Sequence, residues 1–330
     1  MALRAVGGLG APTTFAKTVF DFSRPHTLVG SGVSVLALFL SATPMELWKT
    51  PLFWSSLNSA LVPSLLMNLY ITGLNQLTDV EIDKINKPYL PVASGDLSRS
   101  HGVIIVVLSL LGSLLLSLKA VWPLQFVLWG SCFLGTIYSL PPFRLKRFPA
   151  LAAFCILVVR GSLINLGFYL QAKQQLVQGA GAVVAQGLLH SCAAYPQAVA
   201  LSAFFAVFGV VIAIMKDVPD IKGDKVFGIK SLSVRLGAKT MFGAGWKLLV
   251  ALLGGTATGI FSSLTRTTGA PLMFRTSLGV ALGAMALDVR RRALVVDPEI
   301  PTDVFKYYMH LWNVFYASYV LLPITSLCGF

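Results

Sequence analysis

The sequence predicts an all-α integral membrane protein, a bundle of nine transmembrane helices. Three observations carry this. Of 330 residues, 55% are hydrophobic and 12% charged, and a mean hydropathy of +0.76 leaves too little polar surface to cover a soluble globule of this size. Windows of about 20 apolar residues, the length that crosses a bilayer, recur along the whole chain. The basic residues, finally, sort into one set of connections instead of a single soluble patch.

Taken in order, the apolar windows cover 27–45, 58–83, 102–118, 121–139, 149–170, 197–215, 241–261, 271–288 and 304–326. The first follows Arg24, Pro25 and His26, a proline-led helix start. The second ends in an acidic stretch, and a turn separates the third from the fourth. The fifth follows Pro149 and carries Arg160 in its interior. The sixth ends in a second acidic stretch, the seventh contains Lys247, and the eighth runs into Arg290, Arg291 and Arg292. The ninth is aromatic, "YYMHLWNVFYASYVLLP".

Nine spans place the N-terminus and the connections after spans two, four, six and eight on one side. That side holds 19 of the 26 Lys and Arg residues, so it faces the cytoplasm or its organellar equivalent, a stroma or matrix. The formal charge of +13 is thus an orientation signal, and no nucleic-acid partner is implied. Of the 13 acids, all but Glu46 lie on this same side or at its membrane boundary. Orientation needs only cations, so the shared location of both signs points to a polar site there. Cys132, Cys155, Cys192 and Cys328 fall singly, without metal-ligand or disulfide spacing. Met1 to Thr14 is Gly-rich and lacks acids, the composition of a transit-peptide remnant or a disordered leader. No soluble domain interrupts the chain, which reads as one membrane-embedded domain over 1–330.

The acidic stretches carry the chemistry. In "NQLTDVEID", Asn75, Asp79 and Asp83 are four apart, about 40° around a helix axis from one another, and form one stripe. In "DVPDIKGD", Asp217, Asp220 and Asp224 share a face if the helix persists, although Pro219 argues for an end or a kink. The two groups close spans four helices apart, each followed by Lys, Gly and a Ser-containing turn, which reads as a weak repeat of four helices plus four with the ninth added. Such duplications place binding sites where the halves meet. Five carboxylates at one mouth repel unless a cation lies between them, either a ring of lysines or a divalent metal. The all-oxygen donor set selects a hard ion, most simply Mg2+, held by Asn75, Asp79, Asp83, Asp217, Asp220 and Asp224 and leaving positions for phosphate oxygens.

Lys84, Lys87, Arg144, Lys146, Lys216, Lys222 and Lys225 lie beside these motifs. They are either diphosphate ligands or solvated, orientation-setting charges. Tyr138 and Arg144 flank the Pro-fixed turn of "YSLPPFRLKR" and make the strongest case for the first. A cation-coupled transporter is the rival of another class. It requires carboxylates near mid-bilayer on broken helices, whereas these close helix ends.

"NQLTDVEID" and "DVPDIKGD" resemble the NxxxDxxxD and DxxDxxxD motifs of the UbiA superfamily of intramembrane prenyltransferases. The resemblance runs in order through "FSRPHT", "NKPYLPVASGDLS", "YSLPPFRLKRFP", "VRGSLINLGFY" and "KDVPDIKGDK" to the last span. Within the superfamily the chain looks like the plastid homogentisate prenyltransferases. Here "PPFRLKRFP", "VRGSLINLGFY" and "WNVFYASY" are closer to the solanesyl-transferring branch of plastoquinone biosynthesis than to the phytyl- or geranylgeranyl-transferring branch of tocopherol and tocotrienol biosynthesis. The resemblance implies a nine-helix bundle around a central cavity, a plastid membrane with the active-site loops on the stromal side, and Mg2+ on the two motifs with a prenyl diphosphate. It also implies transfer to homogentisate with loss of CO2. Asp79, Asp83, Asp217, Asp220 and Asp224 would be catalytic, and Asn75, Lys84, Lys87, Tyr138, Arg144, Lys146, Lys216 and Lys222 would hold the diphosphate. An acceptor with a carboxylate needs a cation within the bundle. Arg160 is assigned that carboxylate and Asn165 a ring hydroxyl, with pairing of Arg160 to a motif acid, or a role in holding helices together, as the competing readings. Arg24 and His26 reach either substrate or serve as interfacial anchors, while His310 and Trp312 read as packing or interfacial residues.

Overall fold

The computed structural model describes residues 14–229 and 231–328. The expectation for Met1 to Thr14, Thr14 apart, and the basic-side residues Arg4 and Lys230 lie outside the described residues. No strand occurs among those described. Nine long helices form: α1 Pro25–Ala42, α2 Pro51–Thr78, α3 Arg99–Ser117, α4 Trp122–Ser139, α5 Pro149–Leu176, α6 Pro196–Asp217, α7 Ala238–Ser263, α8 Ala270–Ala293 and α9 Pro301–Val320. All but α3 and α7 carry proline in their first two positions. There the missing N–H is one the helix would leave unbonded in any case.

Seven of these helices are long and apolar enough to cross a membrane by length and composition. The expected count of nine is met as helices but not by that measure. In α4, Trp122, Pro123, Gln125 and Tyr138 lower the hydropathy, and in α9 Lys306, His310 and Asn313 do so.

The bundle is inverted relative to a soluble one. In α3 the buried positions include Gly102, Ser109, Ser113 and Ser117, whereas Ile104, Leu108, Leu111 and Leu115 face outward. Water would reverse this arrangement. Lipid permits it, because helices in hydrocarbon associate through small residues and side-chain hydrogen bonds. Accordingly Ser113 Oγ donates to the Pro63 carbonyl of α2 at 2.8 Å.

Packing closes a ring around a cavity. Helix α1 lies against α2, α5 and α9, α6 against α5, α7 and α9, and α4 against α2 and α5. An aromatic cluster seals the α6–α9 seam, where Phe205 stacks on Tyr319 at 3.8 Å between centroids and Phe208 meets Phe315 edge-on. At the α4–α5 crossing Gly167 is obligatory, since a Cβ there would lie 2.0 Å from Val127 Cγ2.

Candidate active site

The second span was expected to remain one helix through Asp83. Instead α2 stops at Thr78, Asp79 adopts φ −117° and ψ 18°, and a new short helix runs over Val80–Asn86. The second acidic stretch breaks as Pro219 foretells: α6 ends at Asp217 and a short helix follows over Ile221–Val226. These two short helices pack against each other. Asn86 Oδ1 accepts the Gly223 N–H at 2.9 Å, and Gly223 is required because a Cβ would sit 2.4 Å from that oxygen. The motifs thus face each other at one end of the bundle, as four-plus-four packing of the halves implies. Asn86, which the sequence reading passed over, is the joint between them. Its place directly after the first motif, at the head of "NKPYLPVASGDLS", was the available signal.

Cations thread the carboxylates. Asp79 accepts from Arg144 Nη2 at 2.8 Å, from Asn75 Nδ2 at 3.0 Å and from Lys146. Burial pushes the Asp79 carboxyl up, but Lys146 and Arg144 outweigh it and hold the group below the usual carboxylate range. Lys146 itself is pulled down to about 8, burial outweighing the attraction of Asp79. Lys87 reaches across from the first motif to both oxygens of Asp220, and Lys216 stands 3.8 Å from Asp217.

Two acids have no cation within hydrogen-bond distance, although Ser231 bonds Asp224. Asp83 Oδ2 is buried without a hydrogen bond, its nearest cation being Arg24 at 4.0 Å, and burial raises its carboxyl. Asp224 is pushed up to about 7 by burial first and then by Asp220 and Asp217. Of the two answers the sequence allowed, lysines therefore pair with Asp79 and Asp220, while no lysine bonds Asp83 or Asp224 among the described residues.

Among the described residues no three His, Cys, Asp or Glu side chains converge as a ready metal cage. The donors nonetheless fit a hard divalent ion that takes few protein carboxylates and completes its shell with water and phosphate oxygens. All are oxygens, and the orphaned Asp83 oxygen is one that such an ion would satisfy.

Arg24 and Arg144 are the only non-glycine residues with positive φ among those described, at 51° and 40°. Both guanidinium groups reach the first motif, Arg24 Nη2 bonding Asn75 Oδ1 at 3.2 Å. Backbone in this region is disfavoured for a side chain of this size, and it persists here where two loops must aim a charge.

Below the acids opens a cavity of about 240 Å³. Its rim carries Arg24, Asn75, Tyr138 and Lys216, and its wall His26, Asn68, Arg160 and Trp312, with Met67, Val127, Leu128 and Phe168 among the apolar lining. Arg160 sits with its guanidinium 4.9 Å from the Trp312 ring centroid and 5.9 Å from that of Phe315. It makes no ion pair among the described residues, so the competing reading of a motif-acid partner does not hold. Trp312, read as packing, is a cavity wall and a cation–π partner. His26 meets it edge-on at 5.2 Å. Asn165 is fully buried and does not line the cavity. Its amide bonds carbonyls of its own helix, so the ring-hydroxyl assignment finds no open face. Lys84 pairs with Glu81 on the exposed surface at 2.8 Å, and Lys222 is exposed; neither enters the cluster. His310 pairs with Asp288 of α8 at 2.8 Å.

An apolar helical ring with a charge-dense cup at one end, built from two acidic helix tips, defines a membrane-embedded helical protein with a polar site at the end of its bundle. The model of the UbiA prenyltransferase family matches residues 31–314, and the chain belongs to that family. It is 40% identical to homogentisate phytyltransferase 1, chloroplastic, of Arabidopsis thaliana, over 92% of this chain and 74% of that one. Its identity to homogentisate solanesyltransferase, chloroplastic, of the same plant is 35%, over 94% and 76%. Among solved structures it resembles a UbiA homolog from Archaeoglobus fulgidus bound to GPP and Mg2+, with a TM-score of 0.56 at 15% identity over 93% of this chain and 99% of that one.

Proposed function

We propose that this protein transfers a prenyl group from its diphosphate to homogentisate, with loss of CO2, at the cup between the two acidic helix tips. The observation that carries the reading is the meeting of Val80–Asn86 and Ile221–Val226 above a cavity whose wall holds Arg160. The donor's C–O bond breaks with its electron pair on the departing diphosphate, the electron-rich ring forms the new C–C bond and gives up its ring proton, and the bond between the side-chain CH2 and the carboxylate breaks to release CO2, that carbon taking up a proton to become a methyl group. Lys87, Arg144, Lys146, Lys216 and Arg24 bind and orient the diphosphate by charge-assisted hydrogen bonds. Asn75, Asp79, Asp83, Asp217, Asp220 and Asp224 hold Mg2+, which when bound neutralises charge on the leaving group. The ring faces of Trp312 and Tyr308 wall off water from the reacting carbon. Arg160 anchors the acceptor carboxylate; nothing else on the cavity wall offers an uncommitted cation of that depth.

For the donor, the higher identity to a phytyltransferase than to a solanesyltransferase favours a C20 chain, in place of the solanesyl group expected from the loop segments. Those segments still support solanesyl as a second reading. The chain forms one domain of nine spans, with α4 and α9 crossing the bilayer as well, in a plastid membrane and with the cup on the stromal side. Positive loops on the cup side and chloroplast relatives support this placement.

The test is purified protein in lipid with labelled homogentisate and prenyl diphosphates from C10 to C45, with and without chelator. The expected result is a decarboxylated product that disappears on chelation and is greatest with C20. Turnover that survives removal of every divalent ion would overturn the metal assignment. Greatest turnover with C45 would restore the solanesyl reading.

A further inference from the structure

The polypeptide of α5 is not α-helical where Arg160 lies. Over Leu157–Leu163 it widens into a π-turn, in which the Ile164 N–H bonds the Val159 carbonyl five residues back. The widening has a geometric result. On an α-helix each four-residue step drifts about 40° around the axis, whereas a π-turn of about 4.4 residues reverses the sign of that drift. The two cancel along α5, so Ile156, Arg160, Ile164 and Phe168 all line the same cavity.

Such a turn is strained and needs fastening. Asn165 supplies it: its Nδ2 donates to the Arg160 carbonyl at 2.6 Å and to the Gly161 carbonyl at 2.8 Å. Its Oδ1 accepts the Tyr319 hydroxyl of α9 at 2.9 Å. Tyr319 is in turn held by its stack on Phe205. On the opposite flank Gly161 lets the backbone of α6 approach, since a Cβ there would meet Ala206 Cβ at 2.4 Å and Cα at 2.8 Å. The π-turn is thus gripped on one side by Asn165, itself held by one hydrogen bond from Tyr319 of α9, and on the other by close backbone contact with α6.

We infer that the Asn165–Tyr319 pair is a positioning clamp that fixes the π-turn of α5, and through it the direction in which Arg160 enters the cavity and recognises the acceptor. Neither residue touches substrate. Their effect passes through Arg160 alone, so the inference rests on the reading of Arg160 as the anchor of the acceptor carboxylate.

The experiment compares Asn165→Leu, Tyr319→Phe, Arg160→Gln and the two double variants in lipid, with Michaelis constants for homogentisate and prenyl diphosphate measured separately. Asn165→Leu is expected to raise the homogentisate KM about tenfold while the diphosphate KM stays within about twofold. Tyr319→Phe, which keeps the stack on Phe205, is expected to give a smaller rise of the same kind, about threefold. On the Arg160→Gln background both changes should add nothing further, because the side chain they aim is gone. A homogentisate KM unmoved by Tyr319→Phe and Asn165→Leu, or effects that multiply with Arg160→Gln, would overturn the clamp. If Asn165→Leu does not fold, Tyr319→Phe alone and on the Arg160→Gln background decides. An unchanged homogentisate KM in Arg160→Gln itself would remove the acceptor anchor and the clamp with it, while leaving metal-dependent prenyl transfer intact.

Discussion

At the scale of single residues, the acids of the cup are not equivalent. Asp79 and Asp220 are already paired with lysine and arginine, whereas Asp83 and Asp224 are buried beside other acids. For Asp224 the folded protein favours the protonated form, with the group pushed up to about 7. Without metal, the native state therefore binds more protons than the unfolded chain between the ordinary carboxylate range and about pH 7, and stability falls as pH rises through that window. Melting of metal-free protein in lipid should decline from pH 5 to pH 7, and Asp224→Asn should flatten this slope. Mg2+ should flatten it too, by favouring the ionised form. A slope unchanged in Asp224→Asn would place the origin elsewhere. The sequence made these acids visible because carboxylates are costly near lipid. It could not say which lysine would take which acid, because that depends on the fold of loops such as "LPPFRLKR".

At the scale of the helix, apolar windows and prolines located the nine long elements. Two irregularities escaped. The break of α2 at Asp79 has no proline or glycine to announce it, and it follows from tertiary contact between the two short motif helices. The π-turn of α5 is equally hard to read, because Leu157 to Leu163 carry no proline and the turn is held through Asn165 by Tyr319 from the far end of the chain. The assignment of Asn165 to a ring hydroxyl failed for that reason: its partners are backbone carbonyls exposed only by the turn. Where helices cross, by contrast, glycine is a readable signal. Gly167→Ala should destabilise the α4–α5 crossing by about 1–3 kcal/mol, the usual cost of overpacking. Val127→Ala should recover most of it in the double variant, as measured by denaturant titration in mixed micelles. Independent, additive losses would mean that the two residues do not share the space.

For the molecule as a whole, charge asymmetry put both acidic motifs at one end of the bundle, where the two short helices meet, and hydropathy pointed to the membrane class. Helix α3 shows what the solvent demands: leucines outward and serines inward. Leu108→Lys should impair membrane insertion by about 2.5–3.5 kcal/mol at mid-helix, read as the inserted fraction in a glycosylation-tag assay. Inserted fractions equal to the parent would place Leu108 against protein. The two arginines with left-handed backbone have a different bearing on the future of such a scaffold. Glycine would suit positions 24 and 144 better than any charged residue does. Yet trading Arg144 for glycine would deprive the buried Asp79 carboxylate of a partner, a larger loss than the backbone relief, so breeding for heat tolerance would itself retain that guanidinium.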